Sequence, residues 1–132
     1  MLQVGESLVV PVDSKKYWND SSIILERNSR YEFASDPAQR WLDWGNPANA
    51  NGYESNSLLL KLSERFRRVP SADWFTIIGT IGMSEKAAFI IGCALKDFQP
   101  VEKGRLYCFA NDLSFMYWNN SGTVTVTVTR TG

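Results

Sequence analysis

The stretch Asn119-Asn120-Ser121-Gly122-Thr123-Val124-Thr125-Val126-Thr127-Val128-Thr129-Arg130 contains the most regular pattern in the chain. From residue 123 onward threonine and valine alternate strictly, which puts the valines on one face of an extended strand and the threonines on the other. A strand with one apolar and one polar face is typical of an antiparallel sheet that packs one face on a core. The stretch therefore predicts such a sheet, built around residues 123–130.

Outward from this strand, short runs of similar character recur along the chain. Predicted strands cover 8–12, 23–26, 30–35, 40–44, 75–81, 87–92 and 106–109. Glycine, asparagine, aspartate and proline stand at the breaks, and residues 45–52 are predicted to form a loop. About eight short strands with such turns predict an all-β fold, an antiparallel β-sandwich of the jelly-roll kind. The length of 132 residues predicts one domain over residues 1–132.

One segment departs from the period of two. Leu59, Leu62 and Phe66 recur at helical spacing, which predicts a short helix or helical loop over 57–67. The basic run over 65–68 lies beside Glu64 and is interpreted as a solvated face.

Composition narrows the classes of function. The formal net charge is zero, with 14 basic and 14 acidic residues, so nothing predicts binding to nucleic acid or to an anionic membrane. The apolar runs are far shorter than the roughly 18 residues that a membrane-spanning helix needs, so no membrane insertion is expected. Residues 1–6 lack the pattern of a secretory signal, and the location stays open between cytoplasmic accumulation and non-classical release.

Histidine is absent from the chain. Its absence excludes Ser-His-Asp and Cys-His catalytic pairs and zinc bound by histidine. The glutamates are scattered, and no spacing pairs two carboxylates for glycoside hydrolysis. Cys93 and Cys108 lie in separate apolar segments, where two buried free thiols are the preferred interpretation and a cross-strand disulfide is the alternative.

Residues 109–122 gather oxygen-bearing side chains in front of the final strand. Asp112 supplies a charge, and Asn119 and Asn120 supply neutral oxygens, a donor set that suits Ca²⁺ better than Mg²⁺ or Zn²⁺. The alternative is that residues 119–122 form a hairpin turn and that Asp112 makes only a local hydrogen bond. The residue types alone leave both interpretations open.

The segment from Tyr107 to Val128 resembles the C-terminal part of the bacterial calcium-dependent galactose-binding lectins of the PA-I type. Asn111-Asp112, then Met116, then residues 119–122 fit the spacing of that family's motif without a gap. Weaker similarity covers most of the chain. The resemblance implies a small jelly-roll domain that binds carbohydrate of the galactose type.

The same resemblance implies a set of calcium ligands and sugar contacts. Side chains of Asp112, Asn119 and Asn120 would bind the ion, as would the main-chain carbonyls of Met116 and Trp44. Two sugar hydroxyls would complete the coordination and would bond to Asp112, Asn119 and the carbonyl of Leu113.

The chain also differs from these lectins. They hold the primary hydroxyl of galactose with a histidine and a glutamine, whereas this chain has no histidine. Tyr53 and Glu54 are the expected substitutes, and Trp118 is an aromatic residue that can stack on a sugar ring. The segment 55–72 is longer than its counterpart in the sugar-binding members.

Three functions follow as hypotheses. The first is a non-catalytic, calcium-dependent lectin, and the second is a structural or protein-interaction sandwich that binds no sugar. A carboxylate-based glycosidase is the third and the least supported, because no acid pair is visible. Weak monosaccharide binding needs multivalency, which favours a homo-oligomer.

Overall fold

A computed structural model describes residues 1–55 and 57–132, in which two antiparallel sheets share an apolar core and a small third sheet accompanies them. The predicted all-β sandwich with one short helical insertion is confirmed. Within the described residues the elements are β1 (Ser7–Asp13), β2 (Asn19–Leu25), β3 (Tyr31–Ala34), β4 (Trp41–Asp43), β5 (Asn46–Ala48), β6 (Asn51–Tyr53), α1 (Leu58–Ser63), β7 (Trp74–Ile81), β8 (Phe89–Ile90), β9 (Ala94–Phe98), β10 (Gly104–Ala110), β11 (Asn120–Ser121) and β12 (Thr123–Arg130).

The valine–threonine strand is β12, an interior strand of the first sheet, which has the order β1-β12-β3-β9. It pairs with β1 in one continuous register and with β3 on its other side. Val124, Val126 and Val128 are fully buried, while the threonines between them are exposed or half-buried. The alternation therefore predicts both the strand and its buried face correctly.

The second sheet has the order β2-β10-β7-β6, with β8 paired to β7. Every residue of β7 is buried, as expected for a continuous apolar run. The apolar side chains of β2, β7 and β10 pack in one cluster with those of β1 and β12. Because β10 and β12 are interior strands of different sheets, the segment between them is anchored in the core at both ends.

The third sheet, β11-β4-β5, brings Asp43 opposite Asn120 on one side and opposite Asn46 on the other. Trp44 and Gly45 join β4 to β5 with φ values of 46° and 84°, as in the tight two-residue turns of hairpins. The prediction of a loop over 45–52 is wrong, because β5 lies within this range and β6 begins in it. These three-residue strands depend on pairing with β4 and β7 rather than on a pattern of their own.

The predicted helix over 57–67 is confirmed as α1, followed by a 3₁₀ turn over Glu64–Phe66. No residue of α1 is buried, and three of its leucines, Leu58, Leu59 and Leu62, are largely exposed. Neither α1 nor any other helix of the described ranges 1–55 and 57–132 is long and apolar enough to cross a membrane.

The prediction of a solvated basic face over 65–68 is wrong at Arg67 and Arg68, which are both buried. The Cζ atom of Arg68 lies 3.4 Å from the ring centroid of Phe109 and 3.6 Å from that of Tyr17. Its Nε donates to Glu85 Oε1 at 2.7 Å. Stacking on aromatic rings and this ion pair offset the cost of removing the guanidinium from water.

The predicted strand over 87–92 is wrong for most of its length. A 3₁₀ turn covers Glu85–Ala87, and only the two residues of β8 pair with β7. Phe89 of β8 stands opposite Gly79 and packs over it, where a Cβ atom would lie 2.6 Å from the phenyl ring. Only the middle of the apolar run is therefore a strand.

The two cysteines are free thiols, Cys108 buried in β10 and Cys93 half-buried. The prediction of two free thiols is confirmed, and so is the burial of Cys108. The prediction that Cys93 is also buried is wrong, because its side chain is only partly covered.

Candidate metal and ligand site

The loop after β10 begins with Asn111, whose side chain clamps it to the segment that follows the helical insertion. Its Nδ2 donates to the carbonyls of Val69, Ala72 and Asp73 at 2.9, 3.0 and 3.1 Å, and its Oδ1 accepts from the Val69 N–H at 3.0 Å. Asn111 is fully buried. Its carboxamide is therefore used within the fold, and its role is to fix the position of the next residue, Asp112.

The main chain of Asp112 is held from the side of the insertion as well. The Arg68 N–H donates to the Asp112 carbonyl at 3.0 Å. The Arg68 guanidinium donates to the Tyr117 hydroxyl at 3.0 Å, and that hydroxyl donates to the Ala110 carbonyl at 2.5 Å. The buried arginine thus connects the two ends of the loop.

Three side-chain oxygens of the predicted site are buried and accept no hydrogen bond from any described residue: Asp112 Oδ2, Asn119 Oδ1 and Asn120 Oδ1. Asp112 Oδ1 does make a local bond, accepting the Leu113 N–H at 2.7 Å. The Asn120 Nδ2 donates to the Ser14 carbonyl at 2.9 Å, which fixes the orientation of its amide. Buried oxygens nearly always have a donor, and three acceptors without one match the ligand chemistry of a hard cation.

Asp112 and Asn119 border a cavity of about 290 Å³, whereas Asn120 lies outside its lining. The lining includes polar residues, which we call the floor, and apolar residues, which we call the wall. The floor comprises Asp43, Asn46, Asp112 and Asn119, and the wall includes Leu59, Leu60, Trp74, Phe115 and Met116. The volume approaches the lower end of small-molecule sites, roughly 300 Å³. The helical insertion therefore contributes Leu59 and Leu60 to the wall of this cavity.

The ionised forms of the two carboxylates at this cavity, Asp43 and Asp112, are destabilised. Burial raises the pKa of Asp112 to about 7, and the charge of Asp43 adds to that rise. Burial also raises the pKa of Asp43, against the effect of a hydrogen bond from Tyr53. The four ion pairs found among residues 1–55 and 57–132 do not include Asp43 or Asp112. Two buried like charges without a cation disfavour the ionised state.

The other residues predicted to bind calcium lie at the same cavity. Trp44 lines it from the β4–β5 turn and is 76% exposed as a residue. The main-chain N–H of Trp44 donates to the Asn119 carbonyl at 3.2 Å. Met116 and Leu113 line it from the loop, and the Met116 N–H donates to the Leu113 carbonyl at 3.1 Å. The structure therefore places Trp44, Met116 and Leu113 at the same cavity as Asp112 and Asn119.

The predicted sugar contacts are arranged less closely. The Tyr53 hydroxyl donates to Asp43 Oδ2 at 2.5 Å, so it is already engaged. Glu54 is exposed, Trp118 is 70% exposed, and neither lines the cavity. Contact of these residues with a sugar stays a prediction.

Sequence reasoning missed two residues of this region, Asp43 and Arg68. The only signal for Asp43 is its position next to Trp44, whose carbonyl the resemblance implies as a calcium ligand. The sequence around Arg68 predicts exposure to solvent. The aromatic rings that bury it come from distant parts of the chain, so the local pattern does not reveal them.

No family model matches this chain, and no curated protein matches it. Among solved structures, the fold is similar to that of the "EclA N-terminal domain; PllA-like lectin". The TM-score is 0.65 at 15% identity, and the alignment covers 92% of this chain and 94% of that one. The similarity shows a shared sandwich fold.

Proposed function

We propose that this protein is a non-catalytic, calcium-dependent carbohydrate-binding protein that takes galactoside-type glycans. The observation that carries the proposal is the group of three buried oxygens, on Asp112, Asn119 and Asn120, that lack a donor among the residues described. A donor set made only of oxygens suits Ca²⁺, whereas Zn²⁺ prefers nitrogen and sulfur. The fold shared with a PllA-like lectin supports a sugar as the ligand.

In this proposal Asp112, Asn119 and Asn120 hold the ion with side-chain oxygens, and Met116 and Trp44 contribute carbonyls. A bound calcium ion supplies coordination positions that two neighbouring sugar hydroxyls fill. Asp112, Asn119 and the Leu113 carbonyl accept the hydrogens of those hydroxyls. Specificity then depends on whether two adjacent hydroxyls fit the fixed geometry of the floor.

The apolar wall suits the remaining surface of a sugar. Phe115 and Trp44 are exposed aromatic side chains at the cavity, and aromatic rings pack well on the apolar face of a pyranose. Leu59 and Leu60 of α1 line the same cavity, and in this proposal they contact a substituent on the sugar. The cavity thus offers polar groups for the hydroxyls of a glycoside and apolar groups for the apolar face of its ring.

The pairing of Asp43 with Asp112 does not make this cavity a glycosidase site in our proposal. A hydrolase needs one carboxyl that exchanges a proton with the substrate and a second that attacks or activates water. Here Asp112 lies among unpartnered amide oxygens, which suit a cation. Incubation with a chromogenic galactoside should give no product, and turnover that Asp112→Asn abolishes would overturn the non-catalytic assignment.

Calorimetric titration tests the proposal in two steps. Calcium is titrated into EDTA-treated protein, and methyl galactoside is then titrated in excess calcium, with methyl glucoside and methyl mannoside as controls. We expect saturable calcium uptake, and sugar binding that disappears on addition of EDTA. No calcium uptake at millimolar concentration would overturn the cation site, and calcium uptake without any signal on a glycan array would overturn the lectin function.

A second candidate function is favoured by one observation, the exposed apolar surface of the insertion. Leu58, Leu59, Leu62 and Phe66 are between 59% and 73% exposed, and such a cluster is typical of an interaction surface. In that case the sandwich binds a protein and no sugar. Loss of a purified partner in a pull-down with Leu62→Ser, combined with a silent glycan array, would support this alternative.

A further inference from the structure

Asp43 occupies a position that the cation-site prediction did not include. It is the last residue of β4 and stands directly opposite Asn120 of β11 in an antiparallel pair. Side chains of residues opposite each other project from the same face of a sheet, with Cβ atoms about 4.5–5.5 Å apart. The Asp43 carboxylate is therefore a direct neighbour of the Asn120 amide, whose oxygen lacks a donor in the described part of the chain.

The orientation of Asp43 is fixed by a second strand. Tyr53, the last residue of β6, donates its hydroxyl to Asp43 Oδ2 at 2.5 Å. This bond leaves Asp43 Oδ1 for another partner, and Asp43 lines the cavity that Asp112 and Asn119 also line. A buried carboxylate that lines the cavity and has one oxygen fixed is already oriented for a ligand.

A positive charge close to Asp43 would stabilise its buried carboxylate. Asp43 is 8% exposed and Asp112 is 2% exposed, and their charges repel each other. Among the described residues no lysine or arginine makes an ion pair with either one. Asp112 Oδ2 and Asn120 Oδ1 also lack a partner among the described residues, and both side chains are more than nine-tenths buried. A divalent cation can coordinate all of these oxygens at once and also balances the charge of the two carboxylates.

We infer that Asp43, held in place by Tyr53, is a second anionic ligand of the cation site, so that two carboxylates rather than one balance the charge of Ca²⁺. This inference rests on the proposed function and extends it. Calcium affinity rises with the number of charged ligands and with the rigidity of the site. Asp43 supplies the charge, and Tyr53 is a positioning residue that supplies the rigidity.

The experiment compares calcium titrations of the wild type and of Asp43→Asn at moderate ionic strength. The asparagine keeps the acceptor for the Tyr53 hydroxyl and removes the charge. We expect the calcium affinity to fall by about ten-fold or more. Asp97→Asn is the matched control, because it removes one charge from an exposed side chain that only faces Arg30 at 3.9 Å, and its calcium affinity should stay within about two-fold of wild type.

A second readout separates a ligand from a merely structural residue. If Asp43 is a ligand, Asp43→Asn removes the repulsion with Asp112, so its melting temperature in EDTA should equal or exceed that of wild type. In calcium the order should reverse, with wild type the more stable protein. A variant that melts below wild type by the same margin in EDTA and in calcium would overturn the inference.

A measurement on the wild type guards against failure of the variant to fold. The carboxyl ¹³C resonances of Asp43 and Asp112 should move together during a calcium titration, and Tyr53→Phe, which keeps both charges, should weaken calcium binding less than Asp43→Asn does. An Asp43 resonance that stays unmoved while that of Asp112 shifts would overturn the inference alone. A wild type that takes up no calcium would overturn the proposed function and this inference with it.

Discussion

At the scale of single residues, the decisive groups are oxygens that lack a donor. A buried polar group without a partner costs about 1–3 kcal/mol. Asp112 Oδ2, Asn119 Oδ1 and Asn120 Oδ1 are three such groups among the described residues, and they lie in one short stretch of chain. An ion that binds all three converts this local instability into stabilisation, so calcium uptake and loop order should be linked.

Asp112→Asn tests that link most directly. The variant keeps an acceptor for the Leu113 N–H but loses the charge, so calorimetry should detect no calcium uptake up to about millimolar calcium. In EDTA at pH 8 the variant should melt above wild type, because an ionised Asp112 is buried beside Asp43 and destabilises the calcium-free fold. Retention of wild-type calcium affinity would contradict this prediction.

The stability difference between these two proteins should depend on pH in a defined direction. The pKa of Asp112 is raised from 3.8 to about 7 in the fold. The stability that this group contributes is therefore fully present below pH 3.8 and is lost as the pH rises through about 7. Thermal unfolding in EDTA should show a gap between Asp112→Asn and wild type that widens from pH 5 to pH 8. A gap of constant size would show that the charge of Asp112 is not its cause.

The two thiols should differ sharply in reactivity. Burial raises the pKa of Cys108 to about 12, so at pH 8 it is both neutral and shielded. A thiol reagent should modify Cys93 in the native protein and Cys108 only after unfolding, as counted by mass spectrometry. Cys93→Ser is the control, and rapid modification of that variant under native conditions would contradict the burial of Cys108.

At the scale of elements, the sequence predicts those strands whose pattern is strong enough to stand alone. The alternation in β12 and the apolar run in β7 are local properties, and both strands lie where expected. The three-residue strands β5 and β6 and the two-residue strand β11 have too few positions to show a period. They exist because a longer neighbour supplies their hydrogen bonds, and that information is not local.

Gly52 is the residue on which the β6–β7 pairing depends. Its φ is +74°, and a Cβ atom there would lie 2.2 Å from the Trp74 carbonyl oxygen and 2.6 Å from the Thr76 nitrogen. Gly52→Ala should therefore lower the free energy of unfolding by about 2–4 kcal/mol, through backbone strain together with overpacking. Urea denaturation measures the loss.

Gly82 provides the matched control for this substitution. Its φ is +73°, but nothing lies within 4 Å of a Cβ atom built there. Gly82→Ala should show only the backbone cost, of about 1 kcal/mol. Equal losses for the two variants would show that the contact with β7 at Gly52 has no effect.

At the scale of the whole molecule, the candidate site joins three parts of the chain that lie far apart in sequence. The candidate cation ligands of the loop could be predicted, because Asp112, Met116, Asn119 and Asn120 fall within one short motif. Asp43 and Arg68 could not, since their significance arises only when β4 lies beside β11 and when the insertion packs against the rings around Phe109.

Calcium should stabilise the entire fold, because the loop is anchored in interior strands of both main sheets. At a calcium concentration one hundred times the dissociation constant, the stabilisation should be about 2.7 kcal/mol, which corresponds to a rise of roughly 10 °C in melting temperature. Differential scanning fluorimetry in EDTA, in calcium and in magnesium measures it. An equal rise in magnesium, or none in calcium, would contradict the oxygen-rich site as a calcium site.

The exposed wall of α1 has a practical consequence. The proposed ion-binding residues lie on strand ends and a clamped loop, whereas the helix contributes no buried side chain. Randomising Leu59 and Leu60 should therefore alter which glycan substituents are accepted while folding and metal uptake persist. A library at these positions would turn this sandwich into a reagent scaffold, in which recognition of the sugar and discrimination among its attachments are tuned separately.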